Sequence, residues 1–244
     1  MKIGILAAGV TPDELLNQYG TYADMFIRLL GPHHPDFEFR VYEARLGELP
    51  MSPGQCDGWI VTGSKFSVYE DLEWIHSLRD CVADIARSDL PMVGICFGHQ
   101  LIAEALGGRV HKNPGGWGLG MQEYQPVYSF ASQLGLPEGQ MMSVNAVHQD
   151  QVVKLPEGAE VIASSDFCPI AGLSYFGGRV VSLQPHPEFT LSFEVDLLKS
   201  RAGIAFSEDD AEAGIRRASV ENARVDSAHI ARWMTSVLTT FQRA

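Results

Sequence analysis

The sequence has no apolar run long enough to cross a bilayer. The stretch at its start, MKIGILAAGV, is too short and passes directly into the acidic TPDEL, without the layout of a secretory signal. It also lacks any Cys-x-x-Cys pair. Its four cysteines, Cys56, Cys81, Cys96 and Cys168, lie far apart, which argues against a disulfide scaffold and against a cysteine zinc site. Positive charge is scarce: 18 Lys and Arg face 30 Asp and Glu, a net charge of -12, so the averaged field repels phosphate backbones and anionic membranes. No nucleic-acid or membrane partner is expected. Repeats and low-complexity tracts are absent too, and 45% hydrophobic residues in 244 suit a large globular α/β domain. These absences together point to a soluble, cytoplasmic protein with reduced thiols.

What is present in the first half is a βα rhythm. Lys2 to Ala8 reads as a buried strand, and Pro12 to Leu30 carries apolar residues at helical spacing until Gly31-Pro32 stops it. Phe37 to Glu43 and Gly58 to Thr62 read as strands, and Glu73 to Ser88 as an amphipathic helix. Pro91 to Ile95 is a further strand that turns into a helix, His99 to Leu106. This order predicts a parallel sheet with right-handed crossovers. Short strands without long helices follow: Gln122 to Tyr128, Met142 to Val147, Glu160 to Ser165, Ala171 to Tyr175 and Val180 to Leu183. From Leu191 onward the pattern is helical, with Ser207 to Gly214 as a polar loop and a last apolar face of Ile230, Trp233, Met234, Val237, Leu238 and Phe241. That face is expected to pack on the core, with any exposed remnant free to make a homodimer contact.

Two motifs carry chemistry. In Gly94-Ile95-Cys96-Phe97-Gly98 a thiol sits on a strand-to-helix turn between two glycines, where close backbone packing is permitted. The positive end of the following helix favours thiolate, the attacking species, and the Phe97 amide is placed to meet a developing oxyanion. The second motif is Gln184-Pro185-His186-Pro187-Glu188, just after an apolar strand. In extended geometry Glu188 would lie on the same side as His186, giving a base and its orienting carboxylate. Cys96, His186 and Glu188 are thus the candidate catalytic residues. Cys56, Cys81 and Cys168 read as ordinary core or near-surface thiols.

GICFGHQ at Gly94 to Gln100, taken with PHPE at Pro185 to Glu188, resembles the class I glutamine amidotransferases, including the glutaminase domain of GMP synthetase. The resemblance covers about Lys2 to Leu191. It implies a flavodoxin-like α/β fold: an open, mostly parallel sheet with helices on both faces, a few antiparallel strands, and a C-terminal helical extension. The implied division is an amidotransferase domain at 1–191 and an extension at 192–244 packed on it. It implies Cys96 as nucleophile, His186 as base and Glu188 as the residue holding the imidazole. Thr62-Gly63-Ser64-Lys65 falls at the family's oxyanion strand, so Gly63 or Ser64 would join Phe97 in the oxyanion hole; Ser64 and Lys65 replace the family's usual second glycine and proline. Gln100 matches a glutamine that helps bind the substrate's amino-acid end. Val147, His148 and Gln149 fall in a segment that meets the substrate carboxylate, with Gln149 in place of a glycine.

The implied reaction needs no cofactor and no metal. Its substrate is glutamine or another γ-glutamyl small molecule. The 244 residues leave no room for a fused synthase. Three readings therefore stand at this point: a glutaminase serving a separate ammonia-using synthase, a stand-alone γ-glutamyl peptidase acting on a glutathione-like or γ-glutamyl-amine substrate, or a non-catalytic binding protein on the same fold.

Overall fold

The computed structural model describes residues 1–221 and 223–241; Asn222 and residues 242–244, within the expected extension, lie outside the described residues. One half of its main sheet is built from β1 (Lys2–Ala7), β3 (Gly58–Val61), β4 (Met92–Ile95) and β11 (Val180–Leu183). These are short, nearly unbroken apolar runs, which only a sheet covered on both faces can bury. β2 (Glu38–Glu43), with charged and mostly unburied residues, lies at the edge. The order β2-β1-β3-β4-β11 is parallel throughout. Beyond β11 the sheet continues antiparallel through β10 (Gly172–Tyr175), β9 (Glu160–Ser164), β6 (Gly118–Pro126) and β7 (Met142–His148), making nine strands. The open α/β, flavodoxin-like sheet expected from the sequence is thus present.

Alternation along the strands feeds two cores. Ile3, Ile5, Ile60, Val93 and Val181 point to one face, covered by α2 (Tyr22–Leu30), α5 (Tyr128–Leu134) and α8 (Ser227–Thr240). Leu6, Trp59, Val61, Met92 and Val180 point to the other, covered by α3 (Glu73–Arg87) and α4 (Phe97–Ala105). α8 is integral to the first core: Ile230, Trp233, Met234, Val237 and Leu238 are all buried there. Each such side chain contributes roughly 1.5–3 kcal/mol through burial.

Several expected elements differ. The single helix over 12–30 is two, α1 (Asp13–Tyr19) and α2, because Gly20 takes φ 74° and Thr21 starts a new helix with a capping box to Asp24. The loop at 207–214 is instead part of α7 (Glu208–Ala218), which follows α6 (Leu191–Arg201). The Ser207 side chain accepts from the Asp210 amide, and Glu208, Asp209 and Asp210 occupy the positive first turn. The acidic cluster is therefore a helix start. Periodicity overlooked α5, and the antiparallel pair β5 (Arg109–Lys112) with β8 (Asp150–Lys154), whose polar residues carry little apolar signal.

Candidate active site

β4 delivers Cys96 to the start of α4 at φ 53°, a left-handed backbone that a non-glycine residue rarely adopts. Neighbouring glycines make room for the turn. A Cβ on Gly94 would lie 2.7 Å from the Gly98 carbonyl oxygen, and one on Gly98 would lie 2.3 Å from that of Val61. The Cys96 N–H donates to the Leu183 carbonyl at 2.8 Å, which locks the turn to the end of β11. Cys96 is buried at 5% exposure, and the first amides of α4, beginning with Phe97, have no acceptor within their own helix.

β11 runs parallel beside β4, so the chain leaving it arrives next to Cys96. The His186 N–H donates to the Asn145 carbonyl at 2.8 Å, and its ring stacks on Phe189 at 4.0 Å and 6°. Nδ1–H donates to Glu188 Oε1 at 2.8 Å, fixing the tautomer and leaving Nε2 for the sulfur side. The sequence suggested that extended backbone brings Glu188 round. The structure has a turn, closed by the Phe189 N–H on the His186 carbonyl at 3.4 Å, because Pro187 interrupts the strand. Burial alone would push the His186 imidazole down. The Glu188 carboxylate and the Cys96 sulfur, both hydrogen-bonded to it, outweigh burial and hold it well above its ordinary value.

Gly63 lies directly against this pair: a Cβ there would stand 2.8 Å from His186 Cε1 and 3.6 Å from Cys96 Cβ. Thr62 braces it by donating to the Gly63 carbonyl at 3.1 Å while accepting the Ala8 amide at 3.0 Å. Ser64 follows, its hydroxyl accepting from the Phe66 amide at 3.4 Å. Gln100 is buried, with its Nε2 hydrogens donated to the Asp150 carbonyl at 2.8 Å and to Gln184 Oε1 at 3.1 Å. Val147 and His148 end β7. His148 Nδ1–H donates to the Asp150 carbonyl at 3.2 Å, and burial pushes the imidazole down to about 4. A neutral ring donating from Nδ1 presents Nε2 as an acceptor, and that buried atom has no partner among the described residues. The Gln149 carbonyl is taken by the Asn113 amide at 2.9 Å.

Two neighbours of the site were not singled out from the sequence. Tyr22 of α2 packs on Phe189 at 5.6 Å, and burial raises its phenol, with Glu188 and Cys96 adding to the effect. Glu194 of α6 is fully buried, with Oε1 accepting the Gly120 N–H at 2.9 Å. Burial raises its carboxyl to about 8. Its position among Phe193, Leu197 and Leu198 on one helical face was the available signal.

Comparison with known proteins shows what the chain as a whole is similar to. The sequence profile described as Glutamine amidotransferase class-I matches residues 15–201. A glutamine amidotransferase-like protein of Schizosaccharomyces pombe is 30% identical over 229 residues, covering 88% of this chain and 90% of its own. Gamma-glutamyl peptidase 5 of Arabidopsis thaliana is 28% identical, covering 89% of this chain and 86% of its own. A glutamine-hydrolysing GMP synthase component of Methanosphaera stadtmanae is 32% identical over 47% of this chain and 60% of its own. Among solved structures, a glutamine amidotransferase of Thermotoga maritima superposes with a TM-score of 0.75 at 18% identity, covering 98% of each chain, a likeness of fold.

Proposed function

Since the chain belongs to the class I glutamine amidotransferase family, we propose that it hydrolyses a γ-glutamyl amide through a thioester on Cys96, acting on its own as a γ-glutamyl peptidase. The observation that carries this reading is the thiol at φ 53° on the start of α4, with the buried His186–Glu188 pair beside it.

In the proposed reaction the thiolate attacks the γ-carbonyl carbon, and the carbonyl oxygen becomes an oxyanion facing the Phe97 amide and that of Gly63 or Ser64. The His186 imidazolium gives its Nε2 proton to the departing nitrogen as the C–N bond breaks. An amine leaves and a γ-glutamyl thioester remains. Neutral His186 then takes a proton from water, whose oxygen attacks the thioester, and glutamate departs as the thiolate re-forms. Glu188 holds the imidazole orientation and balances its charge throughout. Gln100, Val147, His148 and Gln149 are the residues proposed to meet the amino-acid end of the γ-glutamyl group.

The peptidase reading is supported by the likeness to γ-glutamyl peptidase 5 over 89% of this chain, against 47% for the GMP synthase component, while the amidotransferase-like relative at 88% does not separate the two. The test is to treat pure protein with a γ-glutamyl-directed electrophile and map the adduct, while following amine release from γ-glutamyl peptides and ammonia release from glutamine. Labelling at Cys96 with peptide turnover, both lost in Cys96→Ala, is expected. Labelling without turnover would replace the stand-alone peptidase by a partner-dependent glutaminase. Failure to label Cys96 would remove the nucleophile assignment.

A further inference from the structure

We propose that Asp150 is a positioning residue whose carboxylate clamps the loop bearing Gly63 and Ser64 against the nucleophile. The proposal rests on the acyl-transfer reading above. The loop between β3 and α3 needs such a device. From Gly63 to Tyr69 its backbone makes only local hydrogen bonds among the described residues, such as the Glu70 amide on the Ser67 carbonyl at 3.1 Å. Its inner anchor is apolar, Val68 at 2% exposure, which resists pulling away but does little to fix sliding.

Among the described residues, the long-range side-chain hydrogen bonds of the loop run to one residue, 81 and 83 positions away. Ser67 Oγ–H donates to Asp150 Oδ2 at 2.5 Å and Tyr69 Oη–H to Oδ1 at 3.0 Å, so both carboxylate oxygens are engaged from the loop. The same residue's carbonyl takes Gln100 Nε2–H at 2.8 Å and His148 Nδ1–H at 3.2 Å. Gln100 stands one turn beyond Cys96 on α4, its amide bonded to the Cys96 carbonyl at 3.0 Å. Asp150 therefore joins the helix of the nucleophile, the β7–β8 turn and the Gly63–Ser64 loop. Hydrogen bonds to an ionised acceptor are the stronger kind, and oxyanion donors act only when held within a fraction of an ångström.

Because the oxyanion exists only after attack, loosening these donors lowers kcat and leaves KM nearly unchanged. Asp150→Ala, and separately Ser67→Ala with Tyr69→Phe, are each expected to lower kcat on a γ-glutamyl peptide by about 10- to 100-fold, less than outright loss of a donor. KM should stay within about threefold, and iodoacetamide should alkylate Cys96 at the wild-type rate. All three substitutions together should do no more harm than either set alone, since both break the same tie. Additive losses, unchanged kcat, an effect carried by KM, or slowed alkylation would each overturn the clamp. If the wild type turns over no γ-glutamyl amide, the peptidase reading falls by itself. The clamp then stands or falls on hydrogen exchange of the 63–66 amides, expected to quicken at least about tenfold in Asp150→Ala and in the loop variant alike.

Discussion

Replacing Glu194 by glutamine should make the stability of this protein less sensitive to pH and raise it in mildly alkaline solution. The Glu194 side chain is fully buried; Oε1 accepts the Gly120 N–H at 2.9 Å, and Oε2 has no partner among the described residues. Burial lifts the carboxyl from 4.5 to about 8, with the charge of His186 and the Gly120 hydrogen bond pulling the other way. At neutral pH the folded protein therefore holds a proton that the unfolded chain has released. Between pH 4.5 and about 8 the folded state binds more protons than the unfolded one, so stability falls as pH rises. The slope is about 1.4 kcal/mol per pH unit, and the loss levels off at roughly 4 to 5 kcal/mol above pH 8. Glutamine has the same shape, keeps the acceptor for Gly120 and does not titrate. Any cost of its second amide hydrogen is constant with pH and leaves the slope untouched. Urea unfolding of wild type and Glu194→Gln at half-unit steps from pH 5 to 9 gives the difference directly. A stability difference that does not change with pH, or one that moves in favour of the wild type as pH rises, would refute the reasoning.

Gly63→Ala puts a methyl 2.8 Å from His186 Cε1, so turnover should fall at least about 100-fold; circular dichroism should show the fold retained, and an active variant would mean the imidazole can yield. Glu188→Gln removes the main charge that holds His186 above its ordinary value. The imidazolium must donate a proton, so activity is lost as pH rises through its elevated value. In the variant that alkaline limb should shift to lower pH in the kcat/KM profile, and a limb that stays put would free Glu188 of the role. Ser207→Ala deletes the side-chain cap of α7 and should cost about 1 kcal/mol in urea unfolding, with activity little changed.

Much of the fold was legible because parallel strands buried on both faces must be apolar runs. β1, β3, β4 and β11 are such runs, and each could be placed within a residue or two. α7 was not legible as a helix. Its buried contacts come from Ala211, Gly214 and Ala218, residues too small to give an apolar stripe, and its acidic first turn reads equally well as solvated loop. The break at Gly20-Thr21 was hidden because apolar spacing continues across it, although the Thr21–Asp24 capping box was there to be read. In the site, Cys96 and the His186–Glu188 pair stood out because each lies in a short motif, although the pair is closed by a turn at Pro187 and not by the extended backbone expected.

By itself the sequence determined the parallel βα sheet, the elbow at Cys96 and the nearness of His186 to Glu188, since these follow from local pattern and short-range sterics. Tertiary structure alone decided the rest. It set β11 beside β4 so that His186 meets Cys96 across 90 residues of chain, and it buried Glu194 with one carboxyl oxygen unpartnered among the described residues. It also drew Ser67 and Tyr69 onto Asp150. A carboxylate's partners, and whether it keeps its proton, depend on which distant surfaces close over it, and no local window of sequence contains them.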